Sequence, residues 1–204
     1  AVIFDSARKN FRNEIYSEYK GNRSDAPDDL IPQFEYIRKS VKAFNLPSIE
    51  LINYEADDLI ATYVEKILEL GAKVTIVSSD KDLMQLYKKG VRIYDPMKNK
   101  FINKDDVLNK FGVTADKVID VQSLAGDSTD NVPGVPGIGI KTAAELINEY
   151  GTLENLLKNA SKIKQNKRRE TLINNKEDAI ISKKLVTLKK NVPVKNKIEE
   201  FILK

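Results

Sequence analysis

Asp127 and Asp130 stand three residues apart in the segment Gly126 to Ile147, GDSTDNVPGVPGIGIKTAAELI. Ser, Thr, Asn and Pro around them favour turns over helix, so the pair belongs to a loop. Gly134, Gly137 and Gly139 then form a tight hairpin feeding a helix that begins near Lys141 and Thr142. Glycine lets a backbone come close to a ligand, and the first free amides of a helix make a natural phosphate site. Carboxylates able to hold metal beside amides able to hold phosphate point to work on a phosphodiester.

Rival readings of the glycines fit less well. A P-loop needs GxxxxGK[ST], but Ile140 separates Gly139 from Lys141 and no apolar strand leads in. A dinucleotide fingerprint needs GxGxxG after a strand, whereas this is GxxGxG after a polar loop. A plain hairpin stiffened by Pro133 and Pro136 explains the glycines and leaves the two aspartates unexplained.

Six further acids fall into compact groups. Asp5 closes the apolar run Ala1 to Phe4, which reads as a buried strand. Glu55, Asp57 and Asp58 crowd the first turn of the clearest helix, where Ala56, Leu59, Ile60, Tyr63, Val64, Ile67 and Leu68 form one apolar stripe stopped by Gly71. Acids in a first turn are ordinary, but three in four positions repel one another and call for a cation or raised pKa values. Asp80 and Asp82 follow the β-branched run Val74 to Val77. Strand, helix, strand with acids at the strand ends implies a parallel sheet with one acidic edge, where ligands gather in α/β folds.

What is missing narrows the chemistry. The 204 residues include no His and no Cys, which excludes a Ser-His-Asp triad, a thiolate nucleophile and a zinc site of the usual ligands. Any metal must be held by oxygen, which favours Mg²⁺ or Mn²⁺. The net charge is +4, from 34 basic and 30 acidic residues. Setting the eight grouped carboxylates aside leaves 22 acids and a remainder of +12, a basic body around an acidic focus that suits a polyanion. With 31% charged and 41% hydrophobic residues, no membrane-length apolar run and no signal pattern, the chain reads as globular and cytoplasmic.

The remaining elements must position these groups. Tyr16 to Arg23 mixes Tyr with Lys20 and Arg23, suited to stacking and phosphate contacts. Asp28 to Phe44 carries Leu30, Phe34, Ile37, Val41 and Phe44 at helical spacing, expected to be core. A short strand is expected over Ile49 to Ile52, a hairpin around Pro96, and helices over 104–110 and 115–124, the latter behind Thr114 as N-cap. Beyond Ala143 the chain reads as helical and basic, including KIKQNKRR at 162–169.

In this order, VIFD with Asp5, Phe11-Arg12, YKGNR at 19–23, YEADD at 54–58, SSDKDLMQL at 78–86 and GDSTDNVPGVPGIGIKTA at 126–143 resemble the 5′→3′ exonuclease, or flap endonuclease, domain of bacterial DNA polymerase I. The likeness runs from Asp5 to about Leu188. It implies a flap-nuclease (PIN-like) α/β core over residues 1–111, mainly a parallel sheet flanked by helices. A helical DNA-binding region is implied over 112–204, with a helix-hairpin-helix at about 126–150. One metal is then held chiefly by Asp5, Glu55 and Asp57, another by Asp80, Asp82 and Asp130, with Asp58 and Asp127 close by. Lys20 and Arg23 contact the scissile phosphate, with Arg12 on the same side. Gly134, Gly137, Gly139, Lys141 and Thr142 belong to a hairpin that grips duplex DNA, with K⁺ implied there.

The resemblance also implies an upstream strand carrying another aspartate ligand, absent from these residues, so impaired activity is expected. A non-catalytic DNA-binding module is the alternative. A polymerase domain in the same native chain is the implied partner.

Overall fold

The computed structural model describes residues 1–202. Strand β1 (Val2–Ile3) runs parallel to β2 (Ser48–Ile49). Between them lie a short helix α1 (Arg12–Ile15) and the longer α2 (Ile31–Ala43). Helix α3 (Ala56–Glu69) leads to β3 (Val74–Val77), which pairs in parallel with β4 (Val91–Asp95). β5 (Lys100–Ile102) returns antiparallel, closing the expected hairpin around Pro96.

The strands form two sheets, β1-β2 and β3-β4-β5, with parallel pairing in each as expected. A cleft of about 470 Å³ between β1 and β3, lined by Val2, Ile3, Ile60, Val64, Val74 and Ile76, keeps their edges apart. Helix α3 underlies both sheets and holds them in one body. Its Ala61 and Val64 join the main core with Leu83, Ile93, Phe111 and Leu124, while Leu59 and Tyr63 join a second core with Ile49 and Val192. Burying side chains such as Leu59 and Val64 contributes roughly 1.5–3 kcal/mol each.

Helix α2 corrects another expectation. Its periodicity is helical as read, but none of its residues is buried: Phe34 is 41% and Ile37 45% exposed, and Phe44, just past its end, is 77% exposed. An amphipathic stripe shows that a face is apolar, not that a partner covers it.

The C-terminal half is helical. It comprises α4 (Lys104–Phe111), α5 (Val118–Ala125), α6 (Ile140–Tyr150), α7 (Leu153–Lys158), α8 (Asn166–Asn174) and α9 (Lys176–Val186). A 3₁₀ turn over Ala115–Lys117 precedes α5, and the Thr114 side chain makes no capping bond. α5 is the centre of this half, packed on α6 and α9. Beyond α9 the helical pattern expected gives way to an extended run back across α3, where Thr62 and Tyr63 bond to its backbone at Lys189, Val192 and Asn196, before a 3₁₀ turn over Ile198–Phe201. Among the described residues no helix is long and apolar enough to cross a membrane.

Candidate metal-dependent nuclease site

The first turn of α3 divides its acids between two roles. Glu55 is the N-cap and Asp58 completes a capping box with it. A helix turns about 100° per residue, so Asp57 and Asp58 face different ways. Asp58 points into the interior at 0% exposure, where Arg12, 1% exposed, donates to its two oxygens at 2.7 and 2.8 Å. The backbone N–H of Lys189 donates to it at 2.8 Å and that of Glu55 at 3.2 Å. Burial alone would lower the Arg12 pKa, but the charge and hydrogen bonds of Asp58, with Glu55 beside it, raise it. Arg12 also reaches Glu55 Oε2 at 3.3 Å and lines the acidic cavity, on the side where it was expected, while Asp58 faces away from that cavity. Their other polar contacts are with each other and with the backbone, including Leu185 O at 2.7 Å from Arg12 Nε.

Asp57 takes the other direction, into a cavity of about 120 Å³. Asp5, Glu55, Asp57, Asp80, Asp82, Asp127 and Asp130 line it, with Tyr19, Lys20 and Arg23. Several elements deliver them. Asp5 follows β1 and accepts from the Ala56 N–H at 2.7 Å, tying it to the start of α3. Asp80 caps the 3₁₀ turn Lys81–Leu86 by accepting from the Asp82 N–H at 2.8 Å. Asp127 and Asp130 lie on the loop closed by the Asp127–Val132 bridge. That loop is fastened to 18–22 by Lys20 N–H to Asp130 O at 2.9 Å and by Asn22 to Ser128 O at 2.7 Å. Lys20 itself holds φ 55°, a left-handed conformation uncommon for a side chain of this size.

The electrostatics follow from crowding. Burial, then the charges of Asp80, Glu55, Asp82 and Asp5, pushes Asp57 up to about 8. Burial, then Asp80, pushes Asp82 up to about 6 against a hydrogen bond from Gln122. Burial also acts upward on Asp127, but Lys81 and the Thr129 N–H prevail and hold it below the usual range. Lys20 pairs with Glu55, Arg23 with Asp130 and Lys81 with Asp127. With these pairs formed, no three carboxylates among the described residues converge closely enough to hold an ion. The donor set still fits a hard divalent cation: every donor is oxygen, and the acids outnumber the bases.

Tyr19, expected only to suit stacking, is buried, and its hydroxyl donates to Glu55 at 3.1 Å and Asp130 at 3.4 Å. Two further contributors carry no role in the sequence reading. Asn10 donates to Glu55 Oε1 at 2.9 Å. Gln122 donates to Asp82 Oδ1 at 2.6 Å. The only signal for Gln122 was a long polar side chain amid the apolar run of α5.

The hairpin glycines separate into two kinds. Gly126 and Gly134 lie back to back with φ 68° and 61°, and a Cβ on Gly126 would meet Val132 O at 2.6 Å. Gly134 is buried and its N–H donates to Ser182 Oγ at 2.8 Å, so it does not offer that amide to a ligand as expected. Gly137 and Gly139 are exposed beside the N-terminus of α6, whose N-cap Gly139 provides no side-chain cap. Lys141 is exposed and Thr142 half-buried in the first turn.

Residues 1–112 match the family profile of the 5′-3′ exonuclease N-terminal resolvase-like domain, and residues 113–204 that of the 5′-3′ exonuclease C-terminal SAM fold. The chain belongs to the 5′-3′ exonuclease family. It is 54% identical over 203 residues to a DNA polymerase I of Rhizobium leguminosarum, matching along all of its own length and spanning 20% of that polymerase. It is 41% identical to a 5′-3′ exonuclease of Aquifex aeolicus, spanning 69% of that protein. Its fold is similar to that of the bacteriophage T5 flap endonuclease solved in a pseudo-enzyme-product complex with DNA and metal ions. There the TM-score is 0.80 at 26% identity, over 91% of this chain and 72% of the other. An α/β part followed by a helical part is thus the architecture of this family of nucleases.

Proposed function

We propose that this chain is a structure-selective 5′ nuclease that hydrolyses DNA phosphodiesters at 5′ ends and flaps, in the cytoplasm, during replication and repair. The observation that carries this is one cavity lined by Asp5, Glu55, Asp57, Asp80, Asp82, Asp127 and Asp130 together with Lys20 and Arg23. With no histidine or cysteine in the chain, a metal held by crowded acids of surplus charge is the arrangement that would activate water here.

Asp5, Glu55 and Asp57 would hold one divalent ion, Asp80, Asp82 and Asp130 another, with Asp127 beside them; Mg²⁺ or Mn²⁺ fits these donors. When bound, such ions supply Lewis acidity that lowers the pKa of the attacking water and offsets charge on the phosphate. The chain's own residues do the rest. Lys20 and Arg23, now paired with Glu55 and Asp130, are placed to transfer to the phosphate oxygens of a bound strand and stabilise charge developing there. Tyr19, whose pKa is raised by burial and then by Glu55, stays a donor and keeps Glu55 oriented. Gly137, Gly139, Lys141 and Thr142 would hold the duplex backbone, and the same hairpin would take K⁺, contacts that position without reading sequence.

The proposed division is an α/β nuclease core over 1–111 and a helical DNA-binding region over 112–204. The identity with a DNA polymerase I supports a native setting beside a polymerase domain, with RNA primers as further substrates. A second reading, a non-catalytic module binding DNA structure, draws on Lys20 and Arg23, both now paired with acids of the cavity. Mg²⁺-dependent cutting of a 5′-labelled flap duplex, stopped by EDTA, separates the two.

A further inference from the structure

Helix α5 is buried along most of its length and carries one long uncharged polar side chain, Gln122, 2% exposed. Its Nε2 donates to Asp82 Oδ1 at 2.6 Å. Its Oε1 is the only buried side-chain oxygen or nitrogen without a partner among the described residues. The amide cannot be turned over to satisfy that oxygen, since two acceptors would then face each other at Asp82. An apolar residue of similar volume would fill the same place without stranding an acceptor. Gln122 therefore does something for Asp82 that packing does not require.

Asp82 is otherwise fixed only through its backbone. Its N–H donates to Asp80, and the buried neighbours Leu83 and Met84 anchor the 3₁₀ turn that carries it. Its carboxylate lines the acidic cavity beside Asp80 and Asp127, both of which repel it. A single fixed donor on Oδ1 stops that carboxylate from rotating away from its like-charged neighbours and leaves Oδ2 for the cavity.

We propose that Gln122 is a positioning residue for the metal-binding acids: it holds one oxygen of Asp82 so that the other is presented to a divalent cation. This rests on the reading of Asp82 as a metal ligand. Groups that orient a ligand in this way typically alter metal affinity by about 10- to 100-fold when removed.

The test is Mg²⁺ binding to the whole chain, followed by calorimetry and by the rise in melting temperature, for wild type, Gln122→Met, Gln122→Asn and Asp82→Asn. Gln122→Met is expected to melt at or above the wild-type temperature in EDTA, because the orphaned acceptor is gone, while Mg²⁺ affinity falls about 10- to 100-fold. Gln122→Asn keeps the amide but is one methylene too short to reach Asp82, so its affinity must fall as well, and it decides the matter if the Met variant does not fold. Variants that bind Mg²⁺ within about twofold of wild type, while Asp82→Asn binds poorly, would overturn the role of Gln122 alone. A Met variant that loses stability and affinity together marks a packing role and also overturns it. Wild-type affinity in Asp82→Asn would instead remove the metal reading on which the inference stands.

Discussion

The guanidinium of Arg12 grips both oxygens of Asp58 at 2.7 and 2.8 Å, with neither side chain reached by solvent. The same guanidinium donates to Leu185 O at 2.7 Å and Thr187 O at 3.3 Å. One buried ion pair thus joins the segment before the acidic cavity, the start of α3 and the end of α9. Removing one partner leaves the other charge buried and alone, at about 3–5 kcal/mol. Arg12→Ala should lose stability of that order in urea unfolding, and Arg12→Met with Asp58→Leu should lose less than Arg12→Met alone. A loss below about 1 kcal/mol for Arg12→Ala would contradict the assignment.

Crowding in the acidic cavity should make the protein sensitive to alkali when metal is removed. Asp57 titrates at about 8 in the folded chain against about 3.9 when unfolded. Between those values the folded state keeps a proton that the unfolded state has released, so stability falls as pH rises through the window. Asp82, at about 6, adds to the lower part. Asp127, held below the usual range, acts in the opposite sense, at the acid end. In EDTA the melting temperature should drop from pH 5 to pH 8, Asp57→Asn should remove most of the drop, and Mg²⁺ should stabilise more at pH 8 than at pH 6. A flat or rising melting temperature in EDTA would count against the crowding.

At the hairpin, binding should depend on charge and not on sequence. Lys141→Ala should weaken duplex binding about equally for unrelated sequences and reduce the slope of log affinity against log salt by about 1. Fluorescence anisotropy across a salt series reads both. An unchanged slope would place the duplex elsewhere.

The glycines should separate in the same way by stability. A Cβ on Gly134 would press on Ala125 C and Gly126 Cα, both at 2.7 Å, whereas one on Gly137 meets nothing within 4 Å and bears only the strain of φ 75°. Gly137→Ala should cost about 1–2 kcal/mol, and Gly134→Ala should cost more. Equal losses in denaturant titration would show that the back-to-back packing with Gly126 carries no weight.

Much of this was legible in the chain itself, because acids at strand ends and a glycine hairpin before a helix have few uses together. The misreadings have local causes. Glu55 and Asp58 form an E-x-x-D capping pattern, which marks Asp58 as a helix cap, yet counting carboxylates grouped it with Asp57. GxxGxG spacing does not distinguish Gly134, which packs against Gly126, from Gly137 and Gly139, which face solvent. The stripe on α2 carries no information about its covering. Gln122 and Asp82 lie 40 residues apart, a pairing that only the packing of α5 against the turn after β3 creates.

The central claim is that Asp130 and its neighbours hold metal for phosphodiester cleavage, and the most direct measurement is cleavage of a 5′-labelled flap duplex by wild type and Asp130→Asn, each with Mg²⁺ and with EDTA, alongside binding to the same duplex. The account predicts Mg²⁺-dependent cuts near the junction by wild type and none by Asp130→Asn. Binding by the variant should be equal or tighter, because a carboxylate charge facing the phosphates has been removed. Undiminished cleavage by Asp130→Asn, or salt-sensitive binding without any cleavage by wild type, would contradict it.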